Sequence, residues 1–210
     1  MAIITKIEAQ KNNKDRYSIF IDDEFAFGVH VDILIKHNLR KGLELNETEV
    51  LELQQDESVK KAVLAGIKHI SYKQRTCKEV SDKLRDLEYV PSQIEEAIDK
   101  LIEMGFLDDQ KYAEEFVDTR QKRYGRKRIF LELRKRGITE QVAENALDSF
   151  LDIDAGYEQA LEMARKKYAQ CEGLETQKAA ARIQGMLLRK GYSYDVVNTI
   201  IKELGVFNRY

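Results

Sequence analysis

The 210-residue chain has no tryptophan, a single proline and only two cysteines. Cys77 and Cys171 lie far apart and outside any C-x-x-C pair, so the sequence indicates neither a disulfide framework nor a zinc site. It also lacks an apolar run of about 18 residues and a leader pattern at its start, so we expect a cytoplasmic protein that does not enter a membrane. Because Pro91 is the only proline, a proline-rich linker is excluded and helices can run uninterrupted.

The motifs of common enzyme classes are missing as well. There is no phosphate-binding G-x-x-x-x-G-K-S/T loop, no dinucleotide-binding G-x-G-x-x-G and no nucleophile elbow G-x-S-x-G. The three histidines, His30, His37 and His69, have no acid or thiol at a catalytic or metal-binding spacing. We therefore predict that the protein is not an enzyme and that it holds no cofactor and no metal.

The first 30 residues follow a period of two. Apolar positions alternate along residues 3–9, 17–22 and 25–29, and an Asp22-Asp23-Glu24 turn separates the last two segments. This pattern, rich in β-branched and aromatic side chains, predicts three short antiparallel strands. Because three strands alone are marginally stable, we expect one face to pack on a helix at residues 31–38.

From about residue 47 the period becomes helical, and a unit of three helices recurs roughly every 45 to 50 residues. The segment Lys135-Arg136-Gly137-Ile138 matches Arg189-Lys190-Gly191-Tyr192, while Thr76, Asp108 and Thr139 have the chemistry of helix N-caps. We predict a mainly α fold of tandem three-helix repeats in an elongated, curved array, with a small N-terminal antiparallel β element. The predicted domains are the β element with a helix at 1–55 and repeats at 56–107, 108–152 and 153–210.

Residues 119–137 form a strongly basic stretch in a chain whose formal net charge is −2. It contains Glu132 as its one acid and nine cations: Arg120, Lys122, Arg123, Arg126, Lys127, Arg128, Arg134, Lys135 and Arg136. The last three precede Gly137 and are explained equally well by the dipole at a helix C-terminus. The first six straddle a predicted helix break, where phosphate or an acidic protein surface is the better explanation. Tyr124 lies among them and suits either base stacking or a core position.

A second set of cations follows in the third repeat. Lys178, Arg182 and Arg189 are spaced to share one helical face, which fits either a binding role or a plain solvated surface. The pair Asp108-Asp109 suggests a metal site at first sight, but a helix N-cap explains it better. Cys77 is predicted in the first turn of a helix, a position that can lower a thiol pKa, but an ordinary small residue without a functional role is the favoured interpretation.

The chain resembles the RecX family of bacterial recombination regulators over about residues 60–205. The residues that carry the resemblance are Gly105-Phe106-Leu107-Asp108-Asp109, Tyr112-Ala113, Phe116, Arg120, Gly125, Arg128, Ile129, Leu133, Gly137 and Ile138, with Thr76, Glu79, Val80 and Leu84 in the first repeat. The middle repeat is the most specific part of the match.

The resemblance implies a modulator of the RecA recombinase, acting in recombination regulation, DNA repair and the SOS response. Such a protein lies in the groove of the RecA–single-stranded-DNA filament and reduces ATP hydrolysis, strand exchange and coprotease activity. The expected partners are the RecA filament and single- and double-stranded DNA, bound electrostatically without sequence preference, and we expect a monomer. The alternative is a non-specific DNA-binding protein built from tandem helix-turn-helix-like units, which would require base contacts from a recognition helix.

Overall fold

A computed structural model describes residues 2–205. The chain divides into two compact units, Met1–Arg75 with Val80–Leu107 and Thr76–Glu79 with Asp108–Tyr210. Its strands and helices are β1 (Ala2–Gln10), β2 (Asn13–Ile21), β3 (Glu24–His30), α1 (Val31–Lys36), β4 (Glu44–Leu45), α2 (Glu47–Ile70), α3 (Cys77–Asp86), α4 (Pro91–Glu103), α5 (Asp109–Gln121), α6 (Arg126–Lys135), α7 (Glu140–Phe150), α8 (Ile153–Ala169), α9 (Thr176–Arg189) and α10 (Tyr194–Glu203). The predicted mainly α fold with a small N-terminal antiparallel sheet is confirmed.

The N-terminal sheet has the antiparallel order β3-β2-β1-β4. Asp22 and Asp23 take positive φ angles of 50° and 69°, which suits a tight two-residue hairpin turn between β2 and β3. The inward face places Ile19 against Ile33 of α1 and Leu53 of α2 in one buried cluster. The predicted strands are confirmed, while α1 is shorter than expected and shares the cover of the sheet with α2. Strand β4 was not predicted, because a strand of two residues is too short to show an alternating pattern.

Helix α2 runs without a break through residues 55 and 56, the predicted boundary between the β element and the first repeat. The division into domains therefore stays a prediction. Within the first unit, α2 packs closely on α4 because Gly66 has no side chain. A Cβ on Gly66 would lie 2.6 Å from the Leu101 side chain.

Helices α5 and α7 begin directly after their predicted capping residues. The Asp108 side chain accepts a hydrogen bond from the Lys111 N–H at 2.9 Å, and the Thr139 hydroxyl accepts one from the Val142 N–H at 3.4 Å. Helices α5, α6 and α7 enclose one apolar core, and α8, α9 and α10 enclose another. No helix within residues 2–205 is long and apolar enough to cross a membrane.

The turn after the second helix of each repeat contains a residue with positive φ. Gly137 has φ 87° and Gly191 has φ 90°, and in the first repeat Glu88 takes φ 65°. Each turn is closed by the same backbone bond, in which the next residue donates to a carbonyl five positions earlier at 3.2 Å. The first repeat therefore forms the turn without a glycine.

Candidate functional site

The basic stretch is built on two helices and the connection between them. Helix α5 ends at Gln121, and α6 begins at Arg126 after Gly125, whose backbone takes the extended N-cap conformation. Lys122, Arg123 and Lys127 are exposed around this break, and no ion pair holds them within the part of the chain that the structure describes. The break therefore presents three cations to solvent without an acidic partner.

Arg126 and Arg128 are both bound to carboxylates. Arg126 contacts both Glu144 and, at 2.7 Å, Asp148 of α7. Burial acts to lower the pKa of Arg126, but the hydrogen bonds to these carboxylates outweigh it and raise the pKa above its usual range. Arg128 pairs with Glu132 one helical turn away at 2.8 Å, and this hydrogen bond raises its pKa as well. Both side chains remain partly exposed, yet much of their charge is compensated.

Arg120 and Arg136 lie against the same aromatic ring. Their guanidinium carbons are 5.1 Å and 5.3 Å from the centre of the Phe116 ring. Arg136 also pairs with Glu79 at 2.6 Å, and its carbonyl accepts a hydrogen bond from the buried Thr76 hydroxyl at 2.7 Å. Arg136 therefore joins the start of α3 to the end of α6.

The remaining cations of α6 lie at its C-terminal end. Arg134 donates to the carbonyl of Ile138 at 2.7 Å, in the turn that follows α6. Lys135 is exposed, and no ion-pair partner exists for it among residues 2–205. A groove of about 630 Å³ is lined here by Lys78, Arg128, Lys135 and Arg136 together with the acids Glu79 and Glu132. Lys78 comes from a distant part of the sequence, and no local pattern connects it to this groove.

Tyr124 combines the two roles left open by the sequence. Its half-buried ring packs against the core of α5, α6 and α7. The guanidinium carbon of Arg128 lies 5.5 Å from the centre of the ring, and the ammonium nitrogen of Lys190 lies 5.2 Å from it. The ring is thus a core contact that also carries two cations on its surface.

The end of α9 meets the break between α5 and α6. The Gly125 N–H donates to the Lys190 carbonyl at 2.9 Å, and the Lys127 N–H donates to the Gly191 carbonyl at 3.2 Å. Lys190 also donates from its ammonium group to the Arg123 carbonyl at 3.3 Å. The exposed Arg189 directly precedes Lys190 and therefore lies close to the basic break in space.

The other two cations of the second set lie further along α9. Lys178 pairs with Glu175 at 2.9 Å, and Arg182 is exposed. Lys178 precedes Arg189 by eleven residues, so about 16 Å of helix separates them. The second set is therefore spread along α9 rather than gathered at the break.

The Asp108-Asp109 pair serves helix capping. Asp108 caps α5, and Asp109 accepts a hydrogen bond from the Cys77 N–H at 2.9 Å at the start of α3. No cluster of possible metal ligands occurs in the described chain. Burial, with Asp109 beside it, raises the pKa of the Cys77 thiol to about 12. The helix start does not lower this pKa, because the neighbouring carboxylate and the loss of water oppose the thiolate.

Four family models match successive parts of the chain. Family models match the regulatory protein RecX N-terminal domain at residues 2–46 and the first, second and third three-helix domains of RecX at 62–101, 108–147 and 154–201. Regulatory protein RecX of Bacillus licheniformis is 37% identical over 205 residues, covering 97% of this chain and 78% of that protein. Regulatory protein RecX of Clostridium botulinum is 35% identical over 212 residues and covers 100% of both chains.

Two solved structures are also similar. A crystal structure of regulatory protein RecX aligns with a TM-score of 0.85 at 30% identity, covering 96% of this chain and 100% of that one. The crystal structure of RecX from Lactobacillus salivarius aligns with a TM-score of 0.66 at 35% identity, covering 72% of this chain and 99% of the other.

Proposed function

Because this chain belongs to the RecX family of regulatory proteins, we propose that it is a non-catalytic, cytoplasmic regulator that binds the RecA–single-stranded-DNA filament as a monomer. Binding in the groove of the filament lowers ATP hydrolysis, strand exchange and coprotease activity of the recombinase. The observation that carries this proposal is the group of exposed cations at the break between α5 and α6. The names of the relatives support a regulator and not an enzyme.

The charges at the break suit a phosphate backbone. Lys122, Arg123 and Lys127 are exposed and have no ion-pair partner among the described residues. Each cation that meets a phosphate releases condensed counterions, so binding gains free energy at low salt without any sequence preference. Since the whole chain has a net charge of −2, general attraction to polyanions is weak and binding must be local.

The repeated architecture suits a repeated partner. Three homologous helical units offer similar surfaces at several positions along one chain, and a filament offers identical subunits at regular spacing. When one contact is made, the next becomes intramolecular, which can raise avidity by about 10²–10⁴ without a stronger single contact. We therefore propose contacts from more than one repeat, including the α9 cations Lys178, Arg182 and Arg189.

The test is the ATPase activity of the recombinase on single-stranded DNA with added protein. A variant with Lys122→Ala, Arg123→Ala and Lys127→Ala should lose most of the inhibition. A variant with Lys11→Ala, Lys14→Ala and Lys41→Ala is the matched control, because it removes the same charge from exposed positions of the first unit. If all three cations contact single-stranded phosphates, the slope of log K against log salt should become shallower by about 2 in the first variant and stay unchanged in the control.

Two results would contradict the proposal. Full inhibition by a folded triple variant of residues 122, 123 and 127 would show that these charges do not carry binding. A strong preference for one duplex sequence would favour the helix-turn-helix-like alternative, in which the exposed start of α6 contacts base edges.

A further inference from the structure

An apolar cavity lies between the second and third repeats, inside the second unit. Its volume is about 480 Å³, within the range of small-molecule sites. Four of its side chains are aromatic: Tyr124, Phe130, Tyr157 and Tyr192. Aromatic rings in this number suit a flat, conjugated occupant, because stacking adds to the free energy of burial.

Tyr192 is a buried part of the cavity wall. The residue is 7% exposed, and its hydroxyl has no hydrogen-bond partner within residues 2–205. Burial raises the pKa of Tyr192, so the group remains a neutral phenol able to donate and accept. This hydroxyl has almost no accessible surface, so an occupant of the cavity meets other atoms of Tyr192.

Two cations and two acids line the cavity: Arg126, Lys127, Glu144 and Asp152. Glu144 is bound by Arg126, and Asp152 accepts a hydrogen bond from the Ala155 N–H at 2.9 Å as the N-cap of α8. Lys127 also lines the cavity and has no ion pair among the described residues. Arg123 lies at the same helix break. An anionic group beside the occupant therefore meets the ammonium group of Lys127.

We propose that this cavity receives one unstacked base of single-stranded DNA, while the flanking phosphates lie on Lys127 and Arg123. A nucleotide combines two features that suit this cavity: a flat aromatic body for its aromatic wall and an adjacent negative charge for Lys127. An apolar side chain of a protein partner would fill the volume but would leave Lys127 unmatched. The proposal rests on the DNA binding proposed above and gives it a site for the base.

Gly156 allows the cavity to be filled without disturbing the fold. It lines the cavity from the first turn of α8, and a Cβ placed on it has no atom within 4 Å. Gly156→Phe places an aromatic ring in the space that the base would use. Gly156→Ala is the matched control, because it makes the same backbone change and leaves most of the volume open.

The experiment compares two single strands of about 12 nucleotides, one of thymidines and one abasic, so that phosphate charge is equal and only bases differ. The unmodified protein should bind the thymidine strand about tenfold more tightly, as expected for one stacked base. Gly156→Phe should abolish this preference and keep the affinity for the abasic strand, which also shows that the variant is folded. Gly156→Ala should retain the preference.

Each other outcome has a defined meaning. Equal binding of both strands by the unmodified protein overturns the base site and leaves the proposed DNA binding intact. Binding of neither strand overturns both. A preference that survives in Gly156→Phe places base recognition elsewhere and also overturns the proposal. A 2-aminopurine base in the thymidine strand gives a direct check on the unmodified protein, since stacking against the tyrosines should quench its emission; unchanged emission in the bound strand contradicts the site.

Discussion

The contact between the second and third repeats should depend on Gly125. A Cβ at this position would lie 2.5 Å from the carbonyl oxygen of Gly191, 2.6 Å from its carbonyl carbon and 2.7 Å from the Tyr192 nitrogen. All three are backbone atoms, so no side-chain rotation can relieve the overlap. Gly125 itself has φ −81° and ψ 167°, a conformation open to alanine. Gly125→Ala therefore tests the close approach alone.

The expected loss of stability follows from the backbone hydrogen bonds and the close packing between the two segments. To accept the methyl group, the break and the turn at Gly191 must separate by about 1 Å, which stretches two backbone hydrogen bonds now at 2.9 Å and 3.2 Å. Each bond contributes about 0.5–1.5 kcal/mol net, and overpacking adds about 1–3 kcal/mol. We expect Gly125→Ala to lower the free energy of unfolding by about 2–6 kcal/mol.

Urea unfolding followed by circular dichroism measures the loss, with Gly156→Ala as the control. That control meets open space in a helix and should stabilise the protein by about 0.5–1 kcal/mol. Since the chain has two compact units, unfolding need not be a single transition, and hydrogen exchange at the Lys127 amide locates the effect. Unchanged stability together with full protection of that amide would refute the packing argument.

Three further predictions concern single contacts. Thr76→Val should destabilise the second unit by about 1–3 kcal/mol in urea unfolding. The reason is that the buried Thr76 hydroxyl both donates to the Arg136 carbonyl and accepts from the Glu79 N–H. Thr76→Ser is the control, because it should keep both hydrogen bonds. Burial acts to raise the pKa of Asp56, but hydrogen bonds from Lys36 and His37 lower it below its usual value. Its stabilising effect should therefore be complete above about pH 5 and be lost as the pH falls through the lowered pKa, so the stability gap to Asp56→Asn should narrow in acid. Cys77, with its thiol pKa raised to about 12, should react with iodoacetamide at about pH 8 far more slowly than in unfolded protein; equal rates by mass spectrometry would contradict its burial.

The sequence was most informative where the chemistry is local. Asp108 and Thr139 could be assigned as helix caps because a capping side chain and the N–H that it accepts lie within three residues. The strands could also be predicted from the sequence, since the alternation of apolar and polar residues can be seen within each segment. The elongated, curved arrangement of the repeats stays a prediction.

Contacts across long stretches of sequence were beyond such patterns. Nothing local to Asp109 indicates that it caps α3 through the Cys77 N–H, and nothing near Arg126 indicates that α7 supplies two carboxylates. The sequence therefore showed that positive charge is concentrated in this stretch, whereas only the fold shows which cations are paired with carboxylates and which are exposed. The cavity beside Tyr192 was hidden for the same reason, because its walls come from two different repeats.

The glycines of the repeats show how turn geometry and docking can be separated. The turn itself requires only a positive φ, and Glu88 supplies it at an exposed position in the first repeat. Glycine adopts a positive φ without strain, whereas another residue adopts it at a cost of about 1–2 kcal/mol. At Gly137 the side chain of Lys78 occupies the space of a Cβ, and at Gly191 the backbone of Arg128 does so. Glycine is therefore indispensable where another segment rests on the turn, and its absence at position 88 is consistent with a turn whose side chain points to solvent.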